Sequence, residues 1–323
     1  TLGVSSAASD LYKRQVWAPP TVSCLIHELK LWGQDAHFTF ETAGQQVTGH
    51  SIVQTLLSDP LCRINSSPNG SDFLIDSPYG IRVVELGSVD ASANRGEAHL
   101  GQLLKALAEG GVSSAAVVTT SSGRTGTVAD IFQDTVLRFS PSRELDFIAC
   151  DLAYWLPDGK KDWIDEFGNT HSFDDLMRYL MAIPYGKGSC AGCHVPYAIA
   201  TILSRDGATP ILSQEIREQA IRWLRRLSRH LEARQLESGA WDNTWGNDVI
   251  KYVWGDAALD RVTATGHHLE WMAIAPPNTL PPEGVVVKAI ASIRNDVAAI
   301  CAIPERSYKT LLPICHAARS LVL

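Results

Sequence analysis

Cys190-Ala-Gly-Cys193-His194 places two thiols and an imidazole within five residues. C-x-x-C-H is the spacing by which c-type haem is attached, the two thiols bonding the porphyrin and the histidine ring serving as axial ligand. The same residues suit zinc, with Cys190 or Cys193 and His194 completed by a distant ligand such as His267 or His268. A metal-free site is a third arrangement, a histidine acting as general acid or base beside Glu270 or Asp242. A disulfide, or a pair of inert thiols, is the structural alternative. Cys190 and His194 are four apart and share a face if a helix already includes Cys190. At a helix N-terminus the macrodipole favours the thiolate that metals and electrophiles require.

The remaining candidates lie downstream and, in one case, upstream. Of the ten histidines, His99 reads as first-turn in its helix and His194 as the start of an apolar helix. His267-His268 reads as the start of another, and His316 falls near Pro313 in the last. Trp241, Trp245, Trp254 and Trp271 stand near these motifs. Aromatic side chains lining a cavity stack on sugar rings or on an apolar chain, and they equally fill a core. The site expected from the sequence therefore has His194, His267, His268, Glu270 and Asp242 in catalytic roles, and Trp241, Trp271 and His99 as substrate contacts. Cys190, Cys193 and His194 are its metal ligands, or its haem attachment.

These residues have to be positioned by helices, because the apolar spacing is helical almost without interruption from Gly96 onward. Pro19-Pro20 opens an earlier helix with Val22, Leu25, Leu29 and Trp32 on one face, and Gly33 stops it. A short helix is expected at 51–58. Around Ser77-Pro-Tyr-Gly80, residues 73–86 read as a β-hairpin, the only convincing strand signal in the chain. Further helices are expected over 97–109, ended by Gly110-Gly111, and over 127–139, opened by Thr127-x-x-Asp130 as a capping box. Others are marked by Leu145, Ile148, Leu152 and Trp155, and by Phe173, Leu176 and Leu180 behind Ser172-x-x-Asp175. The segment 194–204 is apolar nearly all round. By contrast Ile216, Ala220, Leu224, Leu227 and Leu231 form one stripe, opposed by Arg217, Arg222, Arg225, Arg226 and Arg229 on a solvated face. Segments at 265–275, 282–302 and 307–322 complete the set.

Wholly apolar helices beside one-sided ones are what concentric rings of helices produce. The fold class expected is mainly all-α: an α/α toroid over 19–323 as a single domain, with a β-hairpin insertion and an N-terminal arm at 1–18.

Composition excludes several classes. Hydrophobic residues make up 45% and charged residues 20% of 323 residues, an ordinary globular balance. Net charge is −7 and no basic run suggests nucleic acid. No apolar stretch approaches the ~18 residues of a membrane helix. Seven cysteines is an odd number, so one is left over by any internal pairing. The chain starts at Thr1, which is compatible with export to a periplasm after removal of a leader or anchor.

At Cys190–His194, at Leu236-Glu-Ser-Gly-Ala-Trp241 and at Thr265-Gly-His-His-Leu-Glu-Trp271 the chain resembles a group of bacterial proteins related to the terpenoid cyclase/protein prenyltransferase superfamily of α/α toroids. The resemblance runs from about Pro19 to the C-terminus. Gln235–Trp241 is similar to the glutamine-to-tryptophan repeats of squalene-type cyclases. The aspartate-rich D-x-D-D and D-D-x-x-D motifs are absent, Asp174-Asp175 being followed by Leu-Met-Arg, which sets isoprenoid cyclisation aside. Lanthionine cyclases are toroids that hold zinc with two cysteines and a histidine, and their longer signatures are absent as well. What the resemblance implies is an α/α-toroid enzyme with a His/Cys-lined pocket. Its expected activity is that of a hydrolase or lyase on an oligosaccharide or another small or extended ligand, by histidine acid/base chemistry with or without zinc. A c-type haem electron-transfer protein and a non-catalytic binding scaffold are the alternatives.

Overall fold

The computed structural model describes residues 21–39, 46–66, 72–85, 97–246, 256–302 and 308–322; the arm expected at 1–18 lies outside them. Helix accounts for 60% of the described residues, in thirteen helical segments. No described helix is long and apolar enough to cross a membrane. The chain forms two compact units. Among the described residues, one comprises those up to Leu156 together with Trp163–Thr170; the other comprises Pro157–Asp162 and those from His171 onward.

In the first unit the helices are α1 (Val22–Trp32), α2 (Gly49–Leu56), α3 (Asp59–Ser66), α4 (Gln102–Glu109), α5 (Val128–Leu137) and α6 (Asp146–Trp155). Helix α1 ends where the sequence requires, at Gly33 with φ 75°. Its buried face meets α2 and α4, and α4 packs on α6. Leu29, Leu56, Phe73, Leu74, Leu103, Leu107 and Ile131 form the core between them, each contributing about 2 kcal/mol by leaving water.

The expected hairpin is present as β3 (Leu74–Ser77) paired antiparallel with β4 (Gly80–Val83). Its strands are not the only ones. Hairpins β1 (His37–Thr39)/β2 (Gln46–Thr48), β5 (Val117–Thr119)/β6 (Thr125–Thr127) and β7 (Asp162–Ile164)/β8 (Thr170–Ser172) also form. Strands of three residues are too short for an alternating pattern to register. What they share is their exit. Thr48, Thr127 and Ser172 each end a second strand and cap the next helix, their side chains meeting the backbone or side chain of the residue three positions on.

The second unit begins its helices with α7 (Phe173–Ala182), then α8 (Ser189–Gly192), α9 (His194–Ala208), α10 (Gln214–Arg234), α11 (Ala257–Ile274), α12 (Glu283–Cys301) and α13 (Tyr308–Val322). The two burial classes read from the sequence are both found. In α9 the buried residues run Val195, Tyr197, Ile199, Ile202 with Pro196, Ala198 and Ala200 between them, so the helix is enclosed on every side. Helix α11 is enclosed likewise from Val262 to Met272. Helix α10 instead buries one stripe, Ile216, Ala220, Trp223, Leu224, Leu227, Ser228 and Leu231. Arg222, Arg225, Arg226 and Arg229 face solvent, whereas Arg217 turns inward and pairs with buried Asp206.

Helix α11 corrects one expectation. It starts at Ala257 behind Asp256, whose carboxylate accepts from the amides of Ala258 and Leu259. His267 and His268 therefore sit in its second half rather than at its start. Gly266 reads as a boundary in sequence because glycine is a weak helix former. In the fold it is a contact point. A Cβ there would lie 2.9 Å from the Ala317 nitrogen, so glycine lets α13 approach α11 backbone to backbone.

Candidate functional site

Chain geometry first. Between α7 and α9, Gly186, Gly188 and Gly192 take φ values of 77°, 102° and 79°, conformations that only glycine adopts without cost. A side chain at Gly192 would meet the Lys187 carbonyl oxygen at 2.6 Å, so the loop closes tightly on itself. Within it Cys190 (φ 48°, ψ 54°) and Ala191 (φ 56°, ψ 34°) are left-handed too. Such a residue pays a strain of roughly 1–2 kcal/mol, which is sustained where surrounding structure holds it. Helix α9 proper begins at His194, so Cys190 and His194 do not share a helical face. The loop, not the helical repeat, brings the thiol back toward the imidazole.

Three helices then deliver histidines to one place. His194 comes from the first turn of α9, His267 from α11 and His316 from α13, and all three are buried. The Nε2 atoms of His194 and His267 are 3.1 Å apart, with ring centroids at 4.5 Å and planes at 86°. His316 lies over His267 at 3.7 Å between centroids. The Nδ1 of His267 is 2.7 Å from the Thr263 carbonyl oxygen one turn back. A carbonyl only accepts, so Nδ1 carries the proton and Nε2 presents its lone pair to the cluster. His316 directs Nδ1 at Glu270, 3.3 Å from each carboxylate oxygen. Glu270 is fully buried and also faces the Arg319 Nε at 3.6 Å, while the same guanidinium reaches the Tyr197 hydroxyl at 3.4 Å. A buried carboxylate needs such partners to remain charged.

Two groups of donor atoms close enough to hold a metal result. Cys190, His194 and His267 form one; His267, Glu270 and His316 form the other, with donors within 4.8 Å of one another in each. Two imidazole nitrogens on one tetrahedral zinc ion are about 3.3 Å apart, close to the 3.1 Å between His194 and His267.

His268 is placed beside this cluster in a different role. Its Nδ1 accepts from the Trp271 indole at 3.2 Å, and Nε2 faces the Cys193 sulfur at 3.9 Å. The edges and faces of Trp241 and Trp245 enclose the ring at 5.4 and 4.5 Å between centroids. Burial and the neighbouring His267 and His230 hold its pKa well below the usual histidine range, so it is a neutral imidazole at any ordinary pH. Burial likewise pushes the Cys193 thiol well above its usual range. The macrodipole expectation for a cysteine at this helix start is overturned there, because desolvation outweighs a partial charge worth ~1 kcal/mol or less.

The other residues singled out in the sequence are placed as follows. Trp241 and Trp271 are fully buried. The Trp241 indole donates to the Leu231 carbonyl at 2.8 Å, and its backbone is clamped to α11 by both a donated and an accepted bond with Thr265. Asp242 caps a turn, accepting from the amide and hydroxyl of Thr244. His99 belongs to the other unit, where it bonds Glu144 at 3.0 Å and stacks on Phe147. Thr263, Arg319 and Tyr197 carry no sequence signal that marks them. His316 had one, a histidine three residues after the Pro313 within α13.

Among known proteins, no family model, curated protein or solved structure matches this chain.

Proposed function

We propose that the second unit is an enzyme of α/α-toroid type whose reactive centre is the buried cluster around His267, working as a metal-assisted hydrolase or lyase. The observation that carries this is the convergence of His194, His267 and His316 from three helices, with Glu270 and Cys190 completing two overlapping donor groups. Three imidazoles packed together in a core give up hydration that apolar side chains would not need, a cost that binding an ion offsets. The toroid reading is supported by enclosed α9 and α11 beside one-sided α10, and by the resemblance carried by Gln235–Trp241 and Thr265–Trp271. A bound dication would polarise a carbonyl or acetal oxygen or activate water, and His316, held by Glu270, is placed to carry a proton. An extended carbohydrate as substrate follows from analogy with other toroid enzymes.

The haem alternative fits this geometry less well. A haem on Cys190–His194 needs the His194 Nε2 for its iron, and that atom already faces the Nε2 of His267. The Cys193 sulfur lies enclosed beside His268, where a porphyrin edge has no approach without dismantling the tryptophan packing.

The deciding measurement is metal content by mass spectrometry on the purified full chain, with a visible spectrum alongside. About one zinc-class ion per chain, lost in His267→Ala and accompanied by chelator-sensitive turnover in a glycan screen, supports the proposal. A protein that neither carries nor takes up metal, or that shows a covalent Soret band, overturns it.

A further inference from the structure

Within that reading, and resting on it, we infer that the ion is held by Cys190, His194 and His267 with one coordination position left open, and that Glu270 is a positioning residue for His316 rather than a ligand.

His267 belongs to both donor groups but can serve only one ion. Its Nδ1 is committed to the Thr263 carbonyl, so a single lone pair, on Nε2, is left to give. Where that lone pair points decides between the groups. It points at the Nε2 of His194, 3.1 Å away. That contact is a hydrogen bond in which the His194 Nε2–H donates; an ion that displaces this proton finds both nitrogens at the spacing that neighbouring ligands of a tetrahedral ion require.

Glu270 is occupied in the other direction. Both of its oxygens face the His316 Nδ1, and one faces Arg319. Drawing the carboxylate onto an ion would take from the buried Arg319 guanidinium the counter-charge that makes its burial tolerable. A carboxylate against the far nitrogen of an imidazole is the arrangement that fixes a ring's tautomer and direction, so Glu270 sets how His316 lies against His267.

Cys190 supplies the third donor and the chemistry of the set. A thiolate with two imidazoles favours a zinc-class ion over the hard cations that a carboxylate-rich set selects. Cys190 is also the only member of the triad that is not fully buried, so the site meets solvent on its side. Three protein donors with a fourth position open is the pattern of catalytic zinc, whereas structural zinc closes all four. The left-handed backbone at Cys190 and Ala191 has a role on this assignment: it turns the thiol toward the two imidazoles.

Cobalt(II) substituted into the full chain tests this, because a cobalt thiolate has a near-ultraviolet charge-transfer band and a four-coordinate ion has intense visible bands. The expected result is one cobalt per chain showing both. Cys190→Ser loses the thiolate band, and His194→Asn and His267→Asn weaken binding more than about 100-fold, beyond what loss of an outer partner costs. Glu270→Gln and His316→Asn keep the thiolate band and bind within about tenfold of the parent, with altered visible bands. Circular dichroism confirms each fold, and the two variants on the Glu270 side back each other if one misfolds. Cobalt bound without a thiolate band, and lost in Glu270→Gln and His316→Asn, would put the ion in the other group and end this inference while leaving the metal proposal standing. No cobalt or zinc bound by the parent would end both.

Discussion

Gly266 lies beneath the backbone of His316: a Cβ built on residue 266 would sit 3.0 Å from the His316 carbonyl carbon and 2.9 Å from the Ala317 nitrogen. The spacing of α11 and α13, and with it the stacking of His316 on His267, depends on the absence of one methyl group. Gly266→Ala sets two effects against each other. Alanine gains about 1 kcal/mol in a helix interior, and forcing a carbon into a full contact costs about 1–3 kcal/mol. The contact is with backbone, which cannot rotate away, so the cost prevails. The expected outcome is a net loss near 1 kcal/mol in urea unfolding together with reduced metal content. A variant as stable as the parent with full metal would show that α13 is not held by this contact.

His194 and His267 should behave differently from His230. The Nε2–H of His230 donates to the Trp245 carbonyl oxygen at 2.6 Å, outside the cluster, so His230→Ala is expected to cost about 1 kcal/mol and leave metal content unchanged. His194→Ala and His267→Ala are expected to remove the metal, and their destabilisation should be visible in holo-protein and small once the parent is compared after chelation. Thermal melts with and without chelator make the comparison. Equal losses for all three variants in the chelated state would mark the cluster histidines as structural.

The first unit carries its own buried charges, and their pH dependence has a definite sign. Glu97 is enclosed, accepts from the amides of Gly101 and Leu103, and has its pKa raised to about 7, burial outweighing those two bonds. Asp151, also enclosed and with neither carboxylate oxygen hydrogen-bonded, is raised well above its ordinary value by burial and by the charge of Glu97. A carboxyl that ionises less readily when folded adds stability below its unfolded pKa, near 4.5, and loses it as pH rises through about 7. For Glu97 the swing is about 3 kcal/mol. Denaturant unfolding at pH 5 and pH 8 should show this loss in the parent and a smaller one in Glu97→Gln. Asp151→Asn should stabilise more at pH 8 than at pH 5. A pH-independent difference between parent and both variants would refute the account.

Much of the helical framework was legible because its signals are local. Thr127 and Ser172 announce their helices by capping chemistry, Gly33 and Gly110 end theirs, and the stripe from Ile216 to Leu231 records which face of α10 is buried. The three-residue strands left no periodic trace, although Thr48, Thr127 and Ser172 mark the exit of each hairpin. In the site, His194, His267, Glu270 and Cys190 were found by residue type near one another in sequence or motif. His316, marked in the sequence by its place after Pro313, and Arg319 join them through the packing of α13 on α11, and Tyr197 joins from α9 through Arg319; no local pattern encodes those long-range contacts. The tryptophans illustrate the converse: their number near the motifs was visible, but whether Trp241 and Trp271 face a cavity or fill a core depends on neighbours far along the chain.

Ala191 offers a test of why the loop before α9 is strained. It and Cys190 both hold left-handed backbone conformations, although each has a Cβ that disfavours them. Cys190 is retained there, on the assignment above, for its sulfur. Ala191 contributes only its backbone geometry, since nothing about a methyl group is needed to turn the chain. Ala191→Gly should therefore relieve strain at no chemical cost. Glycine also has more freedom to lose when the chain folds, roughly 0.5–1 kcal/mol, against roughly 1–2 kcal/mol of relieved strain. The balance favours a gain of up to ~1 kcal/mol, with cobalt affinity and the thiolate band unchanged. Cys190→Gly relieves the same kind of strain and should be at least as stable as Cys190→Ser, yet bind no cobalt through sulfur. Stability is to be read by thermal melt of the chelated proteins and binding by cobalt titration. If Ala191→Gly destabilises the fold or abolishes the thiolate band, the left-handed turn is not where the loop stores its strain.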